Sequence, residues 1–203
     1  YVTKQSEGYF KRKWVSILAD PPFSARRVRG FDFAGSIKDE VNKDPDWSAT
    51  TLLSKTRDNK YTIEHADRIR ERFHTVEQWV FKLHELDPED VTYVIPVDPG
   101  SSGKADAANL QAELARRGRH CRLHPTGQKS KLIRFRPFAS VAEAGFVQAV
   151  SAQWNEWYFD ELEQFLGDGK QHDDALDSTV SAFWYLNQGI VLPEMQLPDY
   201  SGS

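Results

Sequence analysis

The chain is 203 residues long, and its 26 Lys and Arg against 30 Asp and Glu give a formal net charge of −4. Hydrophobic residues at 39% and aromatics at 12% supply one core and exclude disorder along the whole length. No run approaches the roughly 18 apolar residues of a membrane helix, and Cys121, the single cysteine, excludes an internal disulfide and a thiolate zinc cluster. The start, with Lys4, Lys11, Arg12 and Lys13, has no apolar stretch of the kind a signal peptide needs, so the reading is a soluble, unexported protein. Any metal is expected on oxygen or imidazole ligands. The mild acidic balance argues against a surface that coats nucleic acid, yet leaves room for a basic strip beside an acidic pocket.

Residues 1–25 have mixed polarity and end at Asp20-Pro21-Pro22, a breaker that marks them as an arm or linker from a longer chain. Residues 28–34 and 49–55 read as strands, and an extended stretch follows from Tyr61 to about Arg70, which together predict an antiparallel meander. A helix is expected over residues 76–86: Thr75 and Gln78 have capping-box spacing, and Val76, Trp79, Val80 and Leu83 form one stripe. Pro88 stops it. Residues 91–97 are nearly all apolar, as in a strand buried on both faces. There follow a helix over residues 105–117 closed by Gly118, a short strand over 121–124, a helix over 138–144, an apolar run over 146–150, and helices over 155–166 and 173–187. The domain is expected to span residues 26–190, with a loose polar tail over 191–203. The order predicts an α/β fold, a mixed sheet of three antiparallel strands and then parallel strands, flanked by helices.

Three places in this series carry acids where acids are costly. Asp32 lies inside Gly30-Phe31-Asp32-Phe33-Ala34, an otherwise apolar strand, and an isolated buried carboxylate there needs a cation. Asp98 follows an apolar strand and opens the turn Pro99-Gly100-Ser101-Ser102-Gly103-Lys104, at the strand end where such sheets place ligands. His172-Asp173-Asp174-Ala175-Leu176-Asp177 opens the last helix. Taking Leu176, Val180, Phe183 and Trp184 as its buried stripe puts Asp173 and Asp177 on the border and Asp174 farther round. Acids drawn into one cleft repel, and Mg²⁺ or Mn²⁺ relieves that repulsion with the oxygen ligands these ions prefer. Two ions about 4 Å apart then suffice for phosphodiester hydrolysis.

These segments resemble the nuclease domain of the large terminase subunit of tailed bacteriophages, a ribonuclease H-like fold. The resemblance runs over residues 28–186 and rests on GFDFAG with DWSATTLL, TYVIPVDPGSSGK, KSKLIRFRPFASVAEAGFV, and above all FDELEQFLGDGKQHDDALDSTVSAF. The arm segment Tyr9-Phe10-Lys11-Arg12-Lys13-Trp14 is similar to the family's link from motor to nuclease. The resemblance implies a metal-dependent endonuclease that cuts concatemeric double-stranded DNA in the cytoplasm of an infected bacterium. It implies two Mg²⁺ or Mn²⁺ ions per site, with Asp32 bridging both, Asp98 holding one, and Asp173 or Asp174 completing the set. Asp46 and Asp177 are weaker candidates. In the full-length protein it implies an ATPase domain, a portal and a small terminase subunit as partners. The fragment itself is open to being monomeric.

The loop GSSGKA is too short between its glycines for a phosphate loop and has no hydroxyl residue after Lys104, so no ATPase is expected here. DNA is expected on Lys104, Lys129, Lys131, Arg134 and Arg136, with Arg134 and Arg136 on one face of a strand around Phe135. Phosphate contacts of that kind position DNA without reading its sequence. Arg68, Arg70 and Arg72 form a second alternating row on an expected hairpin. The histidines, His172 among them, are assigned no metal, and Trp154, Trp157 and Trp184 are assigned to the core. Two alternatives keep the same sequence features: a junction-resolving or transposase-like nuclease of this fold, and a non-catalytic module that grips DNA or docks on the portal.

Overall fold

The computed structural model describes residues 8–34, 45–97, 101–125 and 130–188. The predicted meander is present as β2 (Arg26–Asp32), β3 (Ser48–Lys55) and β4 (Tyr61–Ile69), antiparallel to one another. Strands β1 (Ser16–Leu18), β5 (Thr92–Val97), β6 (Cys121–Pro125) and β7 (Val147–Val150) join them in one sheet of order β1-β7-β4-β3-β2-β5-β6. β5 lies parallel to β2 and β6 parallel to β5, so the strands expected to be parallel are so. β7 adds to β4, also parallel. Helices α1 (Phe73–Leu86), α2 (Ser101–Arg116), α3 (Lys131–Glu143), α4 (Asn155–Gln164) and α5 (Asp174–Leu186) cover the two faces.

Alternation along the central strands feeds two cores. Val28 and Leu53 pack with β7, α3, α4 and α5, while Phe31 and Leu52 pack with α1, α2 and the far side of β5. On the latter face Arg29, 2% exposed, pairs with Asp87 at the end of α1, and Tyr93 donates its hydroxyl to the same carboxylate. Residues 8–18, from the segment expected as an arm, contribute Phe10, which is buried between the rings of Phe138 and Phe159, and β1, which pairs with β7. Among the described residues no helix is long and apolar enough to cross a membrane.

Three boundaries differ from expectation by three residues or more. α2 begins at Ser101, four residues before the expected start, so residues 101–104 of the expected turn form its first turn. α1 begins at Phe73, with Arg72 as its N-cap, so Thr75 sits in the first turn and caps nothing with its side chain. α3 begins at Lys131, seven residues before the expected start, and runs through Pro137. Its buried residues Phe135, Phe138, Ala139 and Ala142 fall at i, i+3, i+4 and i+7. Burying that stripe outweighs the hydrogen bond that Pro137 cannot donate. The basic segment is therefore helical, and Arg134 and Arg136, two residues apart, point about 200° from each other instead of sharing a strand face.

Candidate metal centre

Helix α5 crosses β2 at unusually short range, and Gly30 permits it. A Cβ at Gly30 would lie 2.1 Å from the Ser178 carbonyl oxygen and 2.8 Å from the Ala182 nitrogen. The contact is polar as well as close, with Thr51 of β3 joined to Ser178 at 2.8 Å and to Thr179 at 3.2 Å. This seam carries Asp32 at the end of β2 and Asp174 and Asp177 in the first turns of α5. β5 runs parallel beside β2 and ends at Val97, the same edge of the sheet. Asp98, the expected second acid, lies outside the described residues.

Asp32 is half-buried, and its carboxyl is raised well above the usual range. Burial is the main cause, followed by the charges of Asp177 and Asp174, with a smaller push from Asp173 that Lys131 counteracts. Asp174 is 3% exposed, and its Oδ2 accepts the Trp47 backbone N–H at 3.0 Å. Burial lifts its carboxyl to about 6 against that hydrogen bond, with Asp46 and Asp173 adding to the rise. Asp173 precedes α5, and burial raises it too, although Lys131 opposes the rise. Lys131 of α3 ion-pairs with Asp173 and, at 2.9 Å, with Asp177; Arg134 reaches Asp177 at 2.9 Å as well. Burial works against the Lys131 ammonium, but these carboxylates outweigh it and hold its pKa above the usual lysine range.

Of the acids named from the sequence, the fold brings Asp32, Asp173, Asp174 and Asp177 within electrostatic reach of one another and of Lys131. The helical wheel misjudged Asp174, the most buried acid of the four. The expected stripe was too narrow, because α5 is enclosed by the sheet, α3 and α4, and residues from Asp174 to Phe183 are all buried. Its polar side inside the fold is satisfied by partners such as the Ala175 carbonyl, which accepts from Ser178 and Thr179. Arg136 lies over the Tyr9 ring, Lys104 is exposed on α2, and Lys129 lies outside the described residues.

Four residues were given no part in the acidic site by the sequence reading. His172 Nδ1 stands 3.5 Å from Asp46 Oδ1 and 3.7 Å from Asp174 Oδ2, and donor atoms of these three residues lie within 4.8 Å of one another. Only the neighbourhood of His172 to the acid pair hinted at that. Trp47 binds Asp174 through its backbone, a contact that side-chain identity does not reveal. Glu161 of α4 is 7% exposed, and its Oε1 accepts the Ala175 N–H at 2.6 Å. Burial lifts its carboxyl to about 7 despite that hydrogen bond. Its position between Tyr158 and Leu162 on the buried face of α4 was the available signal. Arg68, placed by the sequence in a basic row suited to hold the other DNA strand, is held against Glu161 at 3.4 Å and between the rings of Trp47 and Trp157.

Carboxylates with one imidazole, crowded and only partly neutralised, make a donor set suited to a hard divalent cation. The raised Asp32 carboxyl is the measure of that fit: its neighbours disfavour ionisation, and a dipositive ion among them reverses the preference.

Residues 29–186 match the model of the terminase RNaseH-like domain family. Comparison with curated proteins gives no significant match. Among solved structures, the chain is similar to the large terminase nuclease from thermophilic phage G20c with bound magnesium, at 19% identity and a TM-score of 0.60, covering 88% of this chain and 97% of that one. The zinc-bound structure of that nuclease gives 18% identity and a TM-score of 0.58, with 85% and 94% covered. The large terminase nuclease domain of Thermus phage P74-26 gives 17% identity and a TM-score of 0.57, with 87% and 94% covered.

Proposed function

Because the chain belongs to the terminase RNaseH-like domain family, we propose that it is a metal-dependent endonuclease that cleaves double-stranded DNA during viral genome packaging, with little sequence preference. The observation that carries this reading is the close seam of β2 and α5 at Gly30, which gathers Asp32 with Asp174 and Asp177 so that burial and their charges raise the Asp32 carboxyl. A fold that gathers acids at such a cost gains from them only when cations enter.

Asp32, Asp174 and Asp98 are the proposed ligands of Mg²⁺ or Mn²⁺, with Asp173, Asp46 and His172 bordering the site. Bound there as a pair, such ions supply an acidified water and stabilise the departing oxygen of the phosphodiester. The chain's own residues do the rest. The Trp47 N–H fixes one oxygen of Asp174. Lys131 and Arg134 neutralise Asp177, which makes Asp177 a counter-ion of the bases, while Asp174 has His172 at 3.7 Å. Lys104, Lys129 and Arg136 are the proposed grip on phosphates, while Lys131 and Arg134 reach DNA only at the expense of their acid partners.

Supercoiled plasmid incubated with Mn²⁺ and no ATP tests the proposal. The expected result is nicking and linearisation that EDTA and Asp32→Ala each abolish. Cleavage that persists in either case overturns the metal assignment, and binding without strand breaks at any Mn²⁺ concentration makes the domain a DNA-grip module. A strong preference for four-way junctions over linear duplex favours the resolvase reading.

A further inference from the structure

Asp174 and Ala175 are held from outside α5 by two separate pieces of chain. The Trp47 N–H, just before β3, donates to Asp174 Oδ2 at 3.0 Å, and Glu161 Oε1, from α4, accepts the Ala175 N–H at 2.6 Å. The second contact is an N-terminal cap supplied by another helix, since Asp173, the N-cap residue, makes no side-chain cap bond of its own. One side chain touches both holders. Arg68 of β4 places its guanidinium 4.4 Å from the centre of the Trp47 ring and 3.4 Å from Glu161 Oε2, with the Trp157 ring 4.2 Å away on α4. A planar cation can stack on indoles and pair with a carboxylate at once, which an ammonium cannot do with the same geometry.

We propose that Arg68 is a positioning residue for Asp174, acting through Trp47 and Glu161 so that β4, α4 and the segment before β3 together set where that carboxylate stands. The inference rests on the metal-site reading for its purpose, though not for its geometry. Outer contacts that orient a ligand commonly change metal affinity by about 10- to 100-fold when removed. Arg68 is therefore a tuner of the metal site and not part of the DNA grip that its place in the row Arg68, Arg70, Arg72 suggests.

Two measurements on the intact chain decide this. In metal-free protein, amide hydrogen exchange at Trp47 and Ala175 is expected to speed up by about tenfold in Arg68→Ala, while the core amides of Tyr93 and Val94 keep their wild-type rates. In Arg68→Lys, which retains the charge and protects against outright misfolding, the same two amides are expected to show an intermediate change. Calorimetric titration with Mn²⁺ is expected to show affinity about tenfold weaker in Arg68→Ala, with DNA affinity measured in EDTA unchanged. Unaltered exchange at Trp47 and Ala175 overturns the proposal, as does acceleration that spreads equally to Tyr93 and Val94 or a loss confined to DNA affinity. A wild-type protein that binds no Mn²⁺ defeats the nuclease reading instead, and the exchange data then decide the role of Arg68 by themselves.

Discussion

Lys131 Nζ lies 2.9 Å from Asp177 Oδ2, which makes a lysine of α3 the built-in counter-ion of an acid on α5. The same ammonium pairs with Asp173 and lowers the proton affinity of Asp32. Replacing it with an uncharged side chain of similar length removes positive charge from an acidic nest. For Lys131→Met the expectation is a lower Tm without metal, because the carboxylates then repel unopposed, and a larger rise in Tm on adding Mn²⁺ than wild type shows. Thermal melts with and without Mn²⁺ measure both quantities. A smaller metal-induced rise contradicts the counter-ion role.

Asp32 poses the opposite case. Its carboxylate is destabilised first by burial and then by Asp177 and Asp174, so an amide of the same shape relieves strain in the metal-free fold. Asp32→Asn is expected to raise the metal-free Tm by several degrees, at about 2–4 °C per kcal/mol for a domain of this size, and to abolish both Mn²⁺-dependent cleavage and the Mn²⁺-induced shift. Differential scanning calorimetry and a plasmid assay check the two halves. A variant that melts lower and still cuts excludes Asp32 as the central ligand.

Much of this arrangement was legible in the sequence, and the remainder was hidden for physical reasons. Strand alternation and the apolar run Val91–Val97 yielded the sheet, since burial imposes those patterns directly. Asp32 and the Asp173-Asp174 pair stood out because acids rarely interrupt apolar strands or open buried helices without cause. The helix from Lys131 was masked by Pro137, whose local preference was overridden by the Phe135 to Ala142 stripe. Arg68 read as one of an alternating basic row, because a sequence does not reveal that Glu161 will stand beside it in the fold. Backbone contacts such as Trp47 N–H to Asp174 leave no trace in residue identity at all.

The raised acids also set a pH dependence. Burial lifts Asp174 to about 6 and Glu161 to about 7, above the values of an unfolded chain, so the folded metal-free domain binds protons more tightly and loses stability as pH rises through that window. His124 runs against this trend: burial, with help from Arg134, lowers it to about 4, so its contribution grows as pH rises toward the ordinary histidine value of about 6.5. From about pH 6.5 upward that compensation tapers off, and Glu161 is left to act. The metal-free Tm is expected to fall between about pH 6.5 and pH 7.5. The increment from Mn²⁺ is expected to grow from about pH 5.5 to pH 7.5, because metal displaces the protons that these ligands hold. Melts at three pH values with and without Mn²⁺ give both slopes, and an increment that shrinks with pH excludes carboxylate ligation.

Gly30 links the fold to the site most directly. Any Cβ there meets backbone atoms of α5, the Ser178 oxygen at 2.1 Å and the Ala182 nitrogen at 2.8 Å, and neither can rotate aside as a side-chain tip does. Gly30→Ala must push α5 away from β2 by more than a few tenths of an ångström, and with it Asp174 and Asp177 away from Asp32, two residues along the strand from Gly30. The destabilisation is expected near the upper end of the overpacking range, about 3 kcal/mol, which corresponds to roughly 6–12 °C in Tm. Because the displacement separates the acids, Mn²⁺ affinity is expected to fall at temperatures where the variant is still folded, and Asp32 is expected to titrate closer to an ordinary carboxyl. Calorimetric Mn²⁺ titration well below the variant's Tm, together with carboxyl ¹³C titration by NMR, separates this geometric effect from a loss of folded protein. Unchanged Mn²⁺ affinity in a destabilised Gly30→Ala domain means that the seam between β2 and α5 supports the fold without setting the spacing of the acids.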